Sequence, residues 1–386
     1  MSRIVVGFDG SCPHHPDGIS EEGPNRFRIF PSWRSSTGIS EEAVGRSTRL
    51  GLKIVNESPE PEQVELLVDW QYNDAPPDNR PSFPSCAEFM SFRDFIVVRG
   101  PGETAWRTVM GDVDEAVAAY RLTVPPDETE VHWHPPYNYV QSEAFVESLR
   151  ERPFVTVDKI GESEERRNLW RLTITDESTR RKTPAMIRAR VHAYESGGSY
   201  AMEGMVHWLL SDDPWAVAAR RRYVFHIIPM SNPDGVHNGL GRLTSPQGAD
   251  LVWNQSAGDS AHQPILDVAA DVQPKLFIDL HNWQNKHMDG LLGLDREIRE
   301  RFVRFMPDQV EFGKEWLIRE PPALGGGAPE KETLGSHCRR VFGAVSVSFE
   351  FPWFGRTVDD ARLTGRRALR ALLRAMDEPP ESLRTR

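Results

Sequence analysis

The sequence contains little cysteine, which excludes two classes of protein. Only three cysteines occur in 386 residues, Cys12, Cys86 and Cys338, and no two of them have the C-x-x-C spacing of zinc or redox motifs. They indicate neither a disulfide framework nor a cysteine-ligated metal. A chain with so few cysteines is typical of proteins that function in a reducing compartment.

Basic residues and long apolar runs are also scarce. Lys and Arg number 46 against 57 Asp and Glu, a formal net charge of -11, whereas nucleic-acid partners usually require a basic face. No apolar run approaches the roughly 20 residues that span a membrane, and the residues after Met1 lack the apolar core of a signal peptide. We therefore expect a cytoplasmic protein with neither nucleic acid nor membrane as partner. The sequence does not indicate its oligomeric state.

The chain is long enough for two domains, because single cores rarely grow beyond about 250 residues. Short strand-like runs separated by turn residues fill residues 1–150 and predict an antiparallel β-sandwich. These runs are Arg26–Phe30, Leu50–Val55, Gln63–Trp70, Phe95–Val98, Thr104–Met110, Ala118–Val124 and Thr129–His134. A helix over Val140–Leu149 is expected to lead into the second domain.

Residues 151–386 show strands alternating with helices. Ser199–Leu210 has an apolar stripe of period 3.6, Tyr223–Ile228 follows as a strand, and Asn232–Gly235 is typical of a turn. Arg362–Met376 predicts a terminal amphipathic helix that packs on its own domain. The pattern favours an α/β domain with a mixed, mostly parallel sheet flanked by helices.

The most informative motif is the H-x-x-E pair formed by His192 and Glu195, directly after the apolar run Met186–Val191. Zinc accepts such a nitrogen and oxygen pair, and a catalytic site generally needs a third protein ligand and one open position. His281, at the end of the apolar run Lys275–Leu280, is the candidate. Two histidines and one glutamate predict one catalytic zinc ion.

Glu350 also stands at the end of an apolar run, Ala344–Phe349. Ligands and catalytic groups of open α/β sheets collect outside the carboxyl ends of the strands, which is where His192, His281 and Glu350 are expected. The alternative is that each histidine merely ends a strand and Glu350 begins a surface loop.

With these residues the chain resembles the zinc metallocarboxypeptidases, and among them the cytosolic carboxypeptidase branch with an N-terminal β-sandwich. The resemblance is carried by Arg188–Ser196, by Met202–Gly204 and by Phe225–Val236, which contains Pro-Met-Ser-Asn-Pro-Asp-Gly. Pro135–Gln141 is similar to the aromatic linker that precedes the catalytic domain in that branch.

The resemblance implies a role for each matching residue. His192, Glu195 and His281 would be zinc ligands, and Glu350 would be the general base, since Glu195 already serves as a ligand. Arg242 matches the arginine that steadies the carbonyl oxygen as negative charge develops, although a solvated surface arginine is the alternative. Asp250 matches the aspartate that orients the first zinc histidine.

The chain departs from the family where the substrate's terminal carboxylate is bound. The family has Asn-Arg two residues after the aspartate, whereas this chain has Val252 and Trp253. Asn254, Arg339 or Arg340 are candidates to replace the pair, and Trp253 would suit an apolar substrate group. No tyrosine follows Tyr223, so the family's mobile tyrosine is absent or replaced by a group such as His337. Gly325–Pro329 is either a lid or an ordinary surface loop, and it lacks the G-K-[ST] ending of a phosphate loop.

Three functions remain open on this basis. The first is zinc-dependent hydrolysis of peptide or isopeptide bonds. The second is deacylation of a small acylated molecule, which would be permitted by loss of the Asn-Arg pair that binds the substrate's terminal carboxylate. The third is a binding protein that retains the fold without catalysis. The intact set of His192, Glu195, His281 and Glu350 argues against the third.

Overall fold

The computed structural model describes most of the chain. The described residues are 1–31, 49–69, 94–114, 117–178, 181–241, 244, 249–252, 258–283, 288–306, 317–319 (backbone), 332–353 and 356–377.

Among the described residues of the N-terminal part, ten strands form two five-stranded sheets. They are β1 (Ser2–Val5), β2 (Ile19–Gly23), β3 (Arg26–Ile29), β4 (Gly51–Asn56), β5 (Glu62–Asp69), β6 (Phe95–Arg99), β7 (Arg107–Met110), β8 (Asp112–Asp114), β9 (Val117–Val124) and β10 (Asp127–His132). The sheet orders are β1-β4-β10-β6-β7 and β2-β3-β5-β9-β8. All pairs are antiparallel except β3 with β5, which is parallel.

The two sheets share one core, as expected for a sandwich. Buried side chains from both, among them Ile54 and Val98 of the first and Leu66 and Tyr120 of the second, form one apolar cluster. β9 alternates between buried and more exposed positions, the pattern of a strand with one face in the core. The predicted antiparallel sandwich is confirmed, with the exception of the β3–β5 pair.

In the second part, the described residues form one eight-stranded sheet of order β11-β12-β14-β13-β15-β18-β16-β17. Its strands are β11 (Val155–Glu162), β12 (Asn168–Ile174), β13 (Thr183–Ala189), β14 (Tyr223–Ile228), β15 (Leu276–His281), β16 (Gly290–Leu292), β17 (Leu317–Arg319) and β18 (Val345–Glu350). The four central strands β14, β13, β15 and β18 are parallel, and antiparallel pairs flank them. The expected mixed α/β sheet is confirmed.

Helices cover both faces of this sheet. They are α1 (Tyr139–Ser148), α2 (Ser196–Leu209), α3 (Pro214–Arg222), α4 (Pro233–His237), α5 (Gln263–Val272), α6 (Arg296–Phe305), α7 (Leu334–Phe342) and α8 (Val358–Asp377). One apolar cluster joins α2 and α8 to one face, and a second joins α5 and α7 to the other. No helix in the described part of the chain has the length and apolar content needed to cross a bilayer.

The link between the two parts is a network of hydrogen bonds at the start of α1. The Asp9 carboxylate accepts from the backbone N–H groups of Tyr139 and Val140, and the N–H of Gly10 donates to the carbonyl of His237. α1 itself packs into the core of the second part. A domain boundary near residue 150 stays a prediction.

Candidate metal centre

Three neighbouring parallel strands bring the predicted site residues to one edge of the sheet. β13 ends just before His192, while His281 and Glu350 are the last residues of β15 and β18. His281 and Glu350 lie opposite each other in the strand register. The carboxyl ends of the strands thus gather groups that are 158 residues apart in sequence, from 192 to 350.

A tight turn after β13 positions Glu195. Arg190 takes a left-handed conformation with φ of 58°, which redirects the chain at the end of the strand. Glu195 precedes the first residue of α2, and its side chain makes no hydrogen bond to the helix backbone. The carboxylate is therefore available to the two histidines.

The geometry of these three side chains fits a metal ion. One carboxylate oxygen of Glu195 lies 2.8 Å from Nδ1 of His192, and the other lies 2.9 Å from Nδ1 of His281. The ligand atoms of all three residues fall within 4.8 Å of one another, and all three side chains are buried. Two imidazole nitrogens and a carboxylate suit zinc and leave a coordination position open. Although burial alone would raise the pKa of Glu195, the two histidines lower it to about 2.

Each histidine has a second carboxylate on its far side. Nε2 of His192 lies 3.4 Å from Oδ1 of Asp250, and Nε2 of His281 lies 3.3 Å from Oδ2 of Asp279. For His281 the contact with Asp279 is a hydrogen bond, which favours the tautomer whose Nδ1 carries the lone pair offered to a metal. His281 is thus oriented for binding by Nδ1.

Asp279 is held in turn by Arg188, which is completely buried. The Arg188 guanidinium donates from Nε and Nη2 to the two oxygens of Asp279, with Nε 3.1 Å from Oδ1. A bidentate contact of this kind fixes both partners in orientation. Burial opposes the charged form, but Arg188 and then His281 hold the pKa of Asp279 well below its usual range.

Glu350 is a half-buried residue beside this cluster. Its Oε2 makes no hydrogen bond to any described residue. Burial raises its pKa to about 8, because the opposing effects of His281 and His192 are smaller. Space for the side chain depends on Gly290 of β16, where a Cβ would lie 2.8 Å from Cβ of Glu350.

The other predicted residues are placed less favourably or lie outside the described part. Arg242, Trp253, Asn254 and the loop Gly325–Pro329 are not among the described residues. Val252 packs in an apolar cluster with Leu251.

Arg340 lies on α7, which leads into the start of β18, whereas the metal centre lies at the end of that strand. Its side chain is 53% exposed and binds Glu332, which also contacts His337. Arg339 is bound to Asp295 and to the carbonyls of Gly293 and Ser346. These contacts give no support to Arg339, Arg340 or His337 as substrate-binding groups.

The sequence reasoning missed Asp279, Arg188 and Arg190. Asp279 could have been predicted, because it and His281 are two residues apart on one strand and their side chains therefore lie on the same face of the sheet. Arg188 and Asp279 are paired in register on adjacent strands, which becomes evident only when the strand order is known.

Comparison with known proteins agrees with the resemblance. Residues 142–262 match the family model described as zinc carboxypeptidase. The chain is 33% identical over 177 residues to cytosolic carboxypeptidase 6 of Caenorhabditis elegans, covering 42% of this chain and 38% of that protein. It is 37% identical over 151 residues to human cytosolic carboxypeptidase 4, covering 36% of this chain and 13% of that protein. The chain thus spans well under half the length of these relatives.

The fold comparison extends over nearly the whole chain. A crystal structure of a metallo-carboxypeptidase from Burkholderia cenocepacia superposes with a TM-score of 0.77, covering 98% of this chain and 99% of that chain. A structure described as a putative carboxypeptidase A from Shewanella denitrificans has a TM-score of 0.78 over 97% of this chain and 98% of that chain. Sequence identities of 19% and 18% make these matches evidence of fold.

Proposed function

We propose, on the premise that residues 142–262 belong to a zinc carboxypeptidase domain, that this protein hydrolyses peptide or isopeptide bonds with one zinc ion. The observation that carries the proposal is the arrangement of Glu195, whose two carboxylate oxygens each face Nδ1 of a histidine. His192, Glu195 and His281 would hold the ion. When bound, it would supply Lewis acidity, lowering the pKa of water and polarising the scissile carbonyl.

Glu350 is suited to move the proton in this reaction. Its side chain is half-buried, its Oε2 is buried and makes no hydrogen bond to any described residue, and it lies directly beside His281 in the strand register. A zinc ion bound at the neighbouring ligands would favour the ionised form of Glu350 and so oppose the effect of burial. The carboxylate would then accept the proton of the attacking water and pass it to the leaving amine, as a general base and then a general acid. Glu195 cannot take this role because both of its oxygens face histidines.

The proposal is tested by a paired measurement on Glu350→Gln. The amide preserves the shape of the side chain but cannot accept a proton, so kcat should fall at least about a hundredfold. Zinc content should remain close to one per chain, because Glu350 is not among the three ligands. Loss of zinc in this variant, or near-normal kcat, would each contradict the assignment.

A control on the metal ligands completes the experiment. His281→Ala removes one of three ligands and should lower zinc occupancy as well as turnover. If the variants at both His192 and His281 retained stoichiometric zinc, the metal would be bound elsewhere. If zinc were bound in the native protein but no amide substrate were turned over, the non-catalytic function would be favoured.

Binding of the substrate's terminal carboxylate distinguishes the two candidate activities, peptidase and deacylase. Val252 packs against apolar neighbours, so it offers no partner for a substrate carboxylate, and this favours deacylation of a small acylated molecule as a second candidate. Comparing kcat/KM for matched free-acid and amidated peptides separates the two. A strong preference for the free acid supports a carboxypeptidase with another carboxylate-binding group, whereas equal rates support the deacylase.

The cytoplasm is the compartment we propose for this activity. Cys338 is a buried free thiol, which suits a reducing environment. The curated relatives are named cytosolic carboxypeptidases.

A further inference from the structure

Trp353 joins the two chain segments that carry the proposed zinc ligand Glu195 and the proposed base Glu350. The indole Nε1 of Trp353 donates a hydrogen bond to Oγ of Ser196 at 2.9 Å, and both side chains are buried. Ser196 directly follows Glu195, and Trp353 lies three residues after Glu350. The bond therefore connects the first residue of α2 to the segment that leaves β18.

The backbone of the same two segments is in close contact beside this bond. A Cβ on Gly197 would lie 2.8 Å from the carbonyl oxygen of Phe351 and 2.8 Å from Oδ1 of Asn282. Asn282 follows His281, and its Oδ1 accepts a hydrogen bond from the N–H of Gly197 at 3.3 Å. The start of α2 thus contacts the residues that directly follow His281 and Glu350, so all three segments of the site meet there.

Aromatic rings hold the indole in place. The ring of Tyr200 on α2 packs edge to face with Trp353, with 5.6 Å between ring centroids, and in the same way with Tyr137 at 5.1 Å. The Tyr200 hydroxyl donates to the carbonyl of Pro136 at 2.6 Å. Aromatic pairs of this kind prefer a defined geometry, and a buried indole N–H usually has an acceptor. The indole is therefore fixed by its ring contacts while its N–H is directed at Ser196.

We propose that Trp353 is a positioning residue whose hydrogen bond to Ser196 sets the separation of Glu195 from Glu350. This inference rests on the proposed function, in which Glu195 helps to hold the ion and Glu350 moves the proton of the attacking water. Trp353 acts through these two residues rather than on the substrate itself. Because Ser196 is adjacent to Glu195 in the chain, loss of the bond lets the ligand move, and small displacements of catalytic groups are costly.

The zinc affinity of the full chain tests the effect on Glu195. Ser196→Ala removes the acceptor of the bond and should weaken zinc binding about tenfold, measured by competition with a chelator of known affinity, because a less well oriented ligand binds its metal less tightly. Ser199→Ala is the matched control, because it removes a buried hydroxyl of the same helix that makes no hydrogen bond to any described residue. Equal zinc affinity in the two variants would overturn the proposal.

Trp353→Phe removes the donor of the same bond and keeps an aromatic ring. It should weaken zinc binding by a similar factor, and the double variant with Ser196→Ala should bind zinc no more weakly than the weaker single variant, because one bond cannot be lost twice. Trp170→Phe, which removes an indole donor to Glu143 between β12 and α1, controls for the substitution. Thermal unfolding of the apoproteins is measured in parallel. A bond that serves stability alone would lower Tm in Trp353→Phe and leave zinc affinity unchanged, and that result or additive effects in the double variant would overturn the proposal.

Steady-state kinetics at saturating zinc test the effect on Glu350. In Ser196→Ala, kcat should fall about tenfold while KM stays close to that of the native protein, because the base is displaced from the reacting water and substrate binding is unaltered. A kcat equal to that of Ser199→Ala would overturn the proposal. If the native protein binds zinc but turns over no amide, the proposed function fails, whereas the zinc affinities still decide whether Trp353 and Ser196 position Glu195.

Discussion

At the scale of single residues, the proposed zinc ligand His281 is oriented by a carboxylate outside the proposed ligand set. Asp279 fixes the ring of His281, and Arg188 fixes Asp279. Removing the charge of Asp279 leaves the ligand in place but loosens its orientation and lowers its basicity. Partners of this kind typically contribute ten- to a hundredfold to metal affinity.

Asp279→Asn should therefore weaken zinc binding by about ten- to a hundredfold, measured by competition with a chelator of known affinity. Because the variant also leaves the buried Arg188 with a neutral partner, the stability of the apoprotein must be measured in parallel. Lys275→Gln, on the residue just before β15, serves as the control and should leave zinc affinity unchanged. Unaltered zinc affinity in Asp279→Asn would show that the aspartate serves only Arg188.

The four residues predicted from motifs and strand ends, His192, Glu195, His281 and Glu350, do lie together. Their prediction was possible because each ends or directly follows a buried apolar run, a local property of the sequence. The partners of these residues depend on which strands are neighbours. Asp279 could have been found from its spacing, but Arg188 could not, because its pairing with Asp279 requires that β13 and β15 be adjacent.

At the scale of elements, buried apolar strands could be predicted from the sequence more readily than strands with polar sequences. The central strands β13, β14, β15 and β18 are buried and apolar, and their expected ranges agree closely with the observed ones. Strands β1, β2 and β8 of the sandwich were missed, and so were β11, β12, β16 and β17 of the second sheet. Five of these seven lie at the edges of their sheets, where one side lacks a partner strand and polar sequences such as Ile-Ser-Glu-Glu-Gly are tolerated.

Helix α2, which follows Glu195, is fixed by its close packing against α8. A Cβ on Gly365 would overlap the carbonyl oxygen of Ala201, and a Cβ on Gly204 would overlap that of Arg362. The two helices thus approach at reciprocal glycines, and the obstacle at each is backbone, which cannot rotate away. This contact fixes the position of the helix that begins directly after the proposed metal ligand Glu195.

Gly365→Ala should separate the helices and destabilise the protein by about 1–3 kcal/mol, the usual cost of overpacking. Displacement of α2 should also reduce kcat, since small misplacements of catalytic groups are costly. Denaturant unfolding and steady-state kinetics measure the two effects. Gly23→Ala is the matched control because a Cβ there meets nothing within 4 Å. Equal stability of the two variants would show that α8 adjusts without cost.

At the scale of the whole molecule, the sandwich and the catalytic part meet through aromatic and polar contacts. His134 follows the last strand of the sandwich and stacks on Trp133 with 4.0 Å between ring centroids. It also approaches Trp353, which lies just after Glu350, at 6.2 Å. Burial lowers the pKa of His134 to about 3, so the ring is neutral in the folded protein.

The lowered pKa of this half-buried histidine predicts how the free energy of unfolding depends on pH. The unfolded chain binds a proton near pH 6.5, whereas the folded chain binds it only near pH 3, so the unfolded state holds more protons in between. The free energy of unfolding therefore decreases as the pH falls below about 6.5. Protonation of His134 in the unfolded state decreases the free energy of unfolding by up to about 1.4 kcal/mol for each pH unit, or by about 2 kcal/mol between pH 6.5 and 5.

His134→Phe keeps an aromatic ring against Trp133 but cannot take up the proton. The decrease in unfolding free energy between pH 7 and 5 should therefore be smaller by about 2 kcal/mol in this variant than in the native protein. Loss of zinc at low pH affects both proteins, so the difference between them isolates the histidine. His15→Phe, at a partly exposed histidine in the same part of the chain, controls for the substitution itself. Identical pH dependence in the native protein and His134→Phe would contradict the prediction. It would mean that the contact between the two parts opens to water before the rest of the molecule unfolds, because His134 could then bind its proton in the folded state.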